Sequence, residues 1–213
     1  MSGRDPADLR RHVARRLHGT APGGDPFDVW SGELSDEQIA TLRRHLPAQL
    51  ARAAVLVPLV ERPEGLTVLL TQRASHLKNH AGQISFPGGR MEADDAGPWE
   101  AALRETREEI GLDPGFVSLA GYLHDHMVLT GYLITPAVAF VRPGFSLQLD
   151  RTEVDDVFEV PLEFVLDPAH HVPRTRTFGG HDFLTHDIPF GERHIWGATA
   201  GMLVALWRML RED

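Results

Sequence analysis

The sequence lacks cysteine, and it lacks long runs of apolar residues. Without cysteine there is no disulfide framework, no thiolate metal site and no cysteine nucleophile. Residues 1–20 contain no apolar stretch of the signal-peptide kind, and no window approaches the roughly 18 uncharged apolar residues of a membrane-spanning helix. These absences favour a cytoplasmic protein that does not enter a membrane.

Positive charge is also scarce, because 21 Lys and Arg oppose 30 Asp and Glu to give a formal net charge of −9. An acidic chain is a poor non-specific binder of nucleic acid or of anionic membranes. No nucleic acid partner is therefore expected, and an anionic small-molecule substrate would need local cations or metal ions beside it. The composition is near the globular average, so 213 residues predict one sizeable core. The sequence does not determine the oligomeric state, and a homodimer stays open.

The first part of the chain is predicted to be helical. Asp5 and Pro6 begin a helix that runs to about Leu17, and the capping-box sequence at residues 35–38 begins a second, from Asp36 to about His45. We therefore expect residues 1–48 to form a helical N-terminal extension and residues 49–213 to form the main domain.

The rest of the chain mixes strands and helices. Apolar or alternating runs predict strands at residues 53–60, 66–71, 117–123, 132–141 and 154–160. A helix is predicted to begin at Gly97-Pro98 and to stop at Gly111, and an amphipathic helix spans Trp196 to Arg211. The expected class is α/β, with a layered helix–sheet–helix arrangement.

The helix before Gly111 carries three glutamates on one face. Glu105, Glu108 and Glu109 are spaced i, i+3 and i+4, so the helical repeat gathers their charges and makes them repel. Arg104 and Arg107 could compensate, and so could a divalent metal ion, since Mg²⁺ prefers carboxylate oxygens among its ligands. The pattern therefore makes this helix a candidate metal site.

The opposite side of the helix offers Leu103 and Ile110, with Ala102 and Thr106 nearby, to pack on a sheet. A helix rich in Glu and Arg is usually no more than a solvated, salt-bridged surface. The preceding pair Gly88-Gly89 weighs against that interpretation, because glycine allows close approach of a ligand to the backbone. Gly-Gly, a polar loop and Arg-Glu-x-x-Glu-Glu-x-Gly in this order form a much more specific pattern.

The glycine pair, the polar loop and the glutamate-rich helix together resemble the signature of the Nudix hydrolases. Gly89 matches the opening glycine, and the second half of the signature is matched by Arg104, Glu105, Glu108, Glu109, Gly111 and Leu112. Thr106 replaces an apolar residue of that signature. The resemblance implies a Nudix-type α/β/α sandwich with a mixed sheet, in which Glu105, Glu108 and Glu109 hold Mg²⁺ or Mn²⁺.

The match to the Nudix signature has two further departures. Fourteen residues, rather than thirteen, separate Gly89 from Arg104. The first glutamate of the signature also has no clear counterpart, since Ala96 stands at its counted position. Three acidic residues of the loop are candidates to replace it: Glu92, Asp94 and Asp95.

A second segment narrows the resemblance to the coenzyme A pyrophosphatase branch of that family. Its pattern is Leu-Leu-Thr-x-Arg, a small residue, three residues, Arg, three residues, Gly, three residues and Phe-Pro-Gly-Gly. Residues 69–89 fit every fixed position except that Lys78 stands in place of Arg. Residues 195–200, Ile-Trp-Gly-Ala-Thr-Ala, also resemble that branch. The resemblance extends over roughly residues 50–210.

This resemblance implies hydrolysis of coenzyme A or an acyl-coenzyme A to 3′,5′-ADP and 4′-phosphopantetheine. The implied catalytic residues are Glu105 and Arg104, with Arg104 orienting the glutamates. The general base is not identified: Glu105 and Glu153 are candidates, and the alternative for Glu153 is an ordinary exposed strand residue. The implied substrate-binding residues are Arg73, Lys78, Gly88 and Gly89.

The residues of the second segment support phosphate binding without the resemblance. Arg73, His76, Lys78 and His80 form a cationic cluster in an acidic chain, although such a cluster is sometimes only scattered surface charge. ADP-ribose, a dinucleotide or a capped RNA end are alternative substrates with the same chemistry. A catalytically inactive nucleotide-binding module is the alternative of another class. The remaining histidines lack the close spacing of a metal site.

Overall fold

The computed structural model describes residues 6–24, 34–47 and 49–211. Its helices are α1 (Pro6–Leu17), α2 (Asp36–His45), α3 (Pro98–Ile110), α4 (Leu162–Leu166) and α5 (Gly197–Leu210). Its strands are β1 (Ala51–Arg62), β2 (Gly65–Arg73), β3 (Ile84–Ser85), β4 (Gly88–Arg90), β5 (Val117–Tyr122), β6 (His126–Val128), β7 (Tyr132–Val141), β8 (Val154–Pro161), β9 (Val172–Phe178), β10 (His181–Phe190) and β11 (Arg193–Ile195).

The main sheet is mixed, as predicted. Its central order is β3-β2-β1-β7-β5, with β4 pairing β1, β6 pairing β7 and β8 pairing β2. Strands β1 and β7 run parallel over ten residue pairs, whereas the other pairings among the described strands are antiparallel. The hairpin between β1 and β2 closes at the turn after Arg62, as the sequence predicted.

Alternate residues of the central strand face two different helical layers. In β1, Val55, Val57 and Leu59 lie in the core shared with α1, α4 and α5. Their neighbours Leu56 and Val60 lie in the core shared with α3. Because successive side chains of a strand point to opposite faces, one apolar run fills both layers. The predicted α/β/α sandwich is therefore confirmed.

Helix α1 has the predicted bounds but is not peripheral. Leu9, Val13 and Leu17 are buried in the main core. His12 bonds through Nε2 to the carbonyl of Leu210 at 2.7 Å, and the Nε of Arg16 donates to the carbonyl of Met209 at 2.7 Å. These contacts satisfy carbonyls in the last turn of α5. The first helix of the predicted extension thus belongs to the same packing unit as residues 49–211, while its predicted cap, Asp5, lies outside the described residues.

Helix α2 also forms as predicted, and its capping box is present. The Ser35 hydroxyl accepts from the backbone of Gln38 at 3.2 Å, and the Gln38 side chain accepts from the backbone of Ser35 at 2.7 Å. Leu42 packs with Met127 in a smaller cluster, away from the main core. Within the described residues, no helix is both long and apolar enough to span a membrane.

The sequence did not predict β9, β10 and β11, which form a separate small sheet in the order β11-β10-β9. Strand β9 reads Val-Pro-Arg-Thr-Arg-Thr-Phe and is largely exposed, so it lacks the apolar alternation of a half-buried strand. Ile188 and Ile195 anchor the small sheet in the main core, beside α5. Pairing with β10 therefore determines the conformation of β9.

Candidate active site

The glycine pair brings the backbone of β4 against α3. Gly88 has φ 144°, and a Cβ there would lie 2.4 Å from the Ala54 carbonyl oxygen and 2.6 Å from the Val55 Cα. A Cβ on Gly89 would lie 2.6 Å from the Glu105 carboxylate. Both positions therefore need glycine, the first to pair with β1 and the second to leave room for a carboxylate.

Glu109 is buried at this junction. The Gly88 N–H donates to its Oε2 at 3.0 Å, and Arg73 Nη1 is 3.9 Å from its Oε1. Burial raises the pKa of Glu109 to about 7, although the Gly88 hydrogen bond and the Arg73 charge oppose the shift. Nearby Glu153 and Glu105 add to the rise in that pKa. Glu109 is thus held in place but only partly compensated for its lost hydration.

Glu105 lies one helical turn before Glu109 and is partly buried. Burial raises the pKa of Glu105, while its hydrogen bond with Arg104 at 2.9 Å and the charge of Arg104 lower it. The negative charges of Glu108 and Glu153 raise this pKa further. The site therefore gathers carboxylates that repel one another across a space bordered by Gly89.

Arg104 joins this carboxylate cluster to the preceding loop. Its Nη1 donates to Glu105 at 2.9 Å and to Glu108 at 3.1 Å, and its Nη2 donates to the Arg90 carbonyl at 3.2 Å. The Glu108 side chain is 60% exposed, in contrast to Glu109. Arg104 therefore links Glu105 and Glu108 to the backbone of the loop.

Of the three acidic loop residues Glu92, Asp94 and Asp95, Asp95 is the one that pairs with Arg104. Its two carboxylate oxygens accept from Nε and Nη2 of Arg104 at 3.0 and 2.9 Å. The Glu92 N–H also donates to Asp95 at 2.7 Å, which closes the loop around the carboxylate. The hydrogen bond with Arg104 lowers the pKa of Asp95. A bidentate pair of this kind fixes the guanidinium plane.

The buried face of α3 differs from the expectation, because it lacks Leu103 and includes Ala101 and Glu109. Ala101, Ala102, Thr106 and Ile110 are buried with Glu109, whereas Leu103 is only partly buried. The Thr106 hydroxyl donates to the Ala102 carbonyl at 2.6 Å. That bond satisfies the polar group in the core and explains how threonine replaces an apolar residue here.

The predicted substrate-binding residues are not all brought together. Arg73 lies beside Glu109, and its buried Nε has no hydrogen-bond partner among the residues that the structure describes. Lys78 is exposed on the loop at residues 74–83 and forms no ion pair within the described part of the chain. The backbone of Arg73 bonds to Gln83 and Gly82, so the base of this loop is closed beside the site.

The C-terminal segment that contains the motif at residues 195–200 packs against the end of the main sheet that carries Arg73. The Thr199 hydroxyl donates to the Ile84 carbonyl at 2.9 Å, and Ile84 pairs with Gln72. Arg193 Nη1 also donates to Gln72 at 3.2 Å, next to Arg73. Residues 193–199 therefore support the strand end that carries Arg73.

The carboxylate cluster fits a hard divalent cation by its chemistry. Among residues 6–24, 34–47 and 49–211, no three acidic or histidine side chains lie close enough together, in their present positions, to ligate one metal ion. Arg104 holds Glu105 and Glu108 aside, and Gly88 holds Glu109. The donors are all carboxylates, and burial raises the pKa of two of them. A cation that prefers oxygen ligands would relieve both the repulsion and the burial cost.

The chain is similar to known proteins of one family. The NUDIX domain model matches residues 50–178. The chain is 39% identical over 152 residues to an Enterobacter protein called uncharacterized Nudix hydrolase NudL, covering 71% of this chain and 79% of that one. A Shigella flexneri protein of the same name is 39% identical over 158 residues, covering 74% and 81%. The crystal structure of DR0079 from Deinococcus radiodurans matches with TM-score 0.50 and 13% identity, over 76% of this chain and 88% of that one.

Proposed function

This chain belongs to the Nudix family of hydrolases, and we propose that its substrate is coenzyme A or an acyl-coenzyme A. A Nudix hydrolase cuts a pyrophosphate linkage in a nucleotide derivative, so the proposal concerns the substrate and the residues that act on it. Coenzyme A would yield 3′,5′-ADP and 4′-phosphopantetheine. The observation that carries the proposal is the contact of Arg73, from the segment 69–89, with buried Glu109.

The substrate carries two separate sets of phosphate charge. Its pyrophosphate needs cations at the carboxylate cluster, and its 3′-phosphate needs another cation at a distance. Arg73 suits the first because its guanidinium already lies 3.9 Å from Glu109. Lys78 suits the second, since it is exposed on the adjoining loop and is the only lysine of the chain.

The residues that would hold Mg²⁺ or Mn²⁺ are Glu105, Glu108 and Glu109. The bound ion would neutralise phosphate charge and lower the pKa of a water molecule. A water oxygen then forms a bond to one phosphorus, and the bond from that phosphorus to the bridging oxygen breaks. The bridging oxygen leaves with the other phosphate, while the proton of the water passes to a base. Gly88 and Arg104 contribute by fixing the carboxylates, because phosphoryl transfer depends largely on positioning.

We assign the general base to Glu153. Glu105 is engaged by Arg104 at 2.9 Å, whereas Glu153 forms no ion pair with any residue that the structure describes. The exposed Glu153 precedes β8 and lies near enough to raise the pKa of both Glu105 and Glu109. A carboxylate without a cationic partner keeps its lone pairs available for a proton.

Substitution of the two candidate bases should give different kinetic results. Glu153→Gln should lower kcat by about a hundredfold or more, which is the range of general-base catalysis, without changing the Mg²⁺ concentration for half-maximal rate. Glu105→Gln should raise that Mg²⁺ concentration, because it removes a ligand charge. The measurement is a Mg²⁺ titration of initial rates for both variants. The opposite pattern would exchange the two roles.

The substrate proposal predicts a preference for the 3′-phosphate. Dephospho-coenzyme A should be hydrolysed about ten- to a hundredfold less efficiently than coenzyme A, because a charged hydrogen bond contributes roughly 1.5–3 kcal/mol. Lys78→Ala should remove most of this preference by lowering coenzyme A hydrolysis alone. Lys78→Arg should preserve or increase it, since arginine binds phosphate bidentately. Products are identified by mass spectrometry in the presence of Mg²⁺.

Arg73→Ala serves as the matched comparison, because Arg73 lies at the carboxylate cluster. It should slow both substrates to a similar extent and leave their ratio unchanged. A ratio unaffected by Lys78→Ala would remove Lys78 from recognition of the 3′-phosphate. Hydrolysis of ADP-ribose with none of coenzyme A would contradict the substrate proposal and leave the Nudix chemistry intact.

A further inference from the structure

The small sheet carries a group of cationic and aromatic side chains that the proposed function does not use. We name it the arginine patch: Arg174, Arg176 and His194 surround the carboxylate of Asp187, and Trp196, directly after β11, borders them. The two arginines share one face of β9, since they are two residues apart on a strand. This concentration of positive charge is unusual in a chain with net charge −9.

One buried carboxylate organises the patch. Asp187, whose side chain is 5% exposed, accepts from Arg174 Nε at 3.2 Å, Arg176 Nη2 at 3.2 Å and His194 Nε2 at 3.0 Å. The Thr185 hydroxyl accepts from Arg176 Nε at 3.2 Å and donates to the Arg174 carbonyl at 3.2 Å. The guanidinium groups are thus held by hydrogen bonds rather than left to move freely.

The patch keeps an excess of positive charge. Asp187 can neutralise only one of two guanidinium groups, and the His194 imidazole lies on the same carboxylate. Asp182, the other acidic residue of β10, is five residues away, on the opposite face, and accepts from Thr177 at 2.6 Å. Arg174 and Arg176 remain 57% and 46% exposed, so their other N–H groups are within reach of a ligand.

An aromatic ring borders this charge. Trp196 is exposed, and the Arg176 guanidinium lies 5.3 Å from its ring centroid. An exposed indole beside arginines suits a nucleotide, because the ring stacks on a base and guanidinium groups bind phosphate oxygens. Neither group alone has this specificity.

We propose that the arginine patch binds a nucleotide that carries a phosphate monoester, with phosphate on Arg174 and Arg176 and the base on Trp196. This proposal does not depend on the identity of the hydrolysed substrate. The same chemistry belongs to the 3′-phosphate end of a coenzyme A molecule and to a separate nucleotide. Either is feasible, since Arg193 and Thr199 connect this region to the strand end beside Arg73.

Binding of 3′,5′-ADP in the presence of EDTA tests the patch directly. Without metal, the carboxylate cluster repels phosphate, so binding at the catalytic centre is suppressed. Isothermal titration calorimetry should show binding to the wild-type protein and about ten- to a hundredfold weaker binding to the Arg174→Gln/Arg176→Gln variant. Adenosine, which lacks phosphate, should bind both proteins equally weakly.

Two further variants and a control guard against a folding defect, because the double glutamine variant leaves buried Asp187 with His194 alone. Arg174→Lys/Arg176→Lys keeps both charges for Asp187 and should show intermediate affinity, since lysine lacks the planar fork. Trp196→Leu does not touch Asp187 and should also weaken 3′,5′-ADP binding. Arg11→Gln removes an exposed arginine of α1 that pairs with Asp8, and it should leave affinity unchanged.

Measurements of turnover then show whether the bound phosphate belongs to the hydrolysed substrate or to a separate nucleotide. If Arg174→Gln/Arg176→Gln removes the preference for coenzyme A over dephospho-coenzyme A, the patch, in place of Lys78, holds the substrate's own 3′-phosphate. If that preference is unchanged, the patch holds a separate nucleotide. The proposal is overturned if wild-type protein fails to bind 3′,5′-ADP at millimolar concentration, or if neither the glutamine pair nor Trp196→Leu weakens binding.

Discussion

Glu109→Gln is expected to lower turnover at least about a hundredfold and, without metal, to make the protein more stable above pH 7. The loss of turnover follows from removing a ligand charge beside the pyrophosphate, and a hundredfold corresponds to about 2.7 kcal/mol of barrier. The gain in stability follows from burial, which makes the ionised carboxylate unfavourable in the folded state. One substitution thus opposes function and favours folding.

The sign and pH range follow from the pKa values. The folded pKa of Glu109, about 7, lies above the ordinary value of 4.5, so the folded protein binds the proton more tightly than the unfolded chain. The stability from protonated Glu109 is fully present below pH 4.5 and is lost as the pH rises through about 7. The difference corresponds to about 3 kcal/mol of unfolding free energy at pH 8. Glutamine, which stays neutral, should avoid that loss.

Urea unfolding in EDTA between pH 5 and pH 8 measures this effect. Glu108→Gln is the matched control, because Glu108 is exposed and should change the pH dependence of stability little. Because Glu108 is a proposed metal ligand, its variant should lose turnover to a comparable extent. Full activity of Glu109→Gln would remove Glu109 from the site. A wild-type unfolding free energy that does not decline relative to the variant would contradict the burial argument.

Gly88→Ala and Gly89→Ala are expected to damage the protein in different ways. At Gly88 the new Cβ meets backbone atoms of β1 at 2.4 and 2.6 Å, and φ 144° is itself unfavourable for alanine. Neither the clash with the backbone nor the unfavourable φ can relax locally, so we expect the free energy of unfolding to fall by about 3 kcal/mol or more. At Gly89 the Cβ meets only the end of the Glu105 side chain. That carboxylate can move away, at the expense of activity.

For Gly89→Ala we therefore expect a small loss of stability and a loss of about a hundredfold or more in turnover, since a shift of about 1 Å in a catalytic group has that effect. Thermal unfolding and initial rates, measured on the same preparations, separate the two glycines. Gly97→Ala is the control, because its Cβ would meet a different glutamate of α3, Glu100, at 3.3 Å. Normal activity in Gly89→Ala would show that Glu105 need not occupy the space beside Gly89.

The sequence alone predicted most of the helices and strands, and it singled out the glutamates of the proposed metal site. Helix bounds follow from local signals such as the Ser35 capping box and Gly111, which ends α3 with φ 69°. The apolar run of β1 required cover on both faces, which is what the sandwich provides. Such signals are legible because hydrogen bonding and side-chain direction repeat over a few neighbouring residues.

Only the tertiary structure decided which of these groups meet. It brought Asp95 to Arg104, since the path of the loop decides which carboxylate reaches that guanidinium. It placed Arg73 at the carboxylate cluster and left Lys78 on the exposed loop, although only four residues separate them. It also packed α1 into the core and formed β9 from a polar segment. These outcomes depend on contacts between distant parts of the chain, whose energies local sequence patterns do not encode.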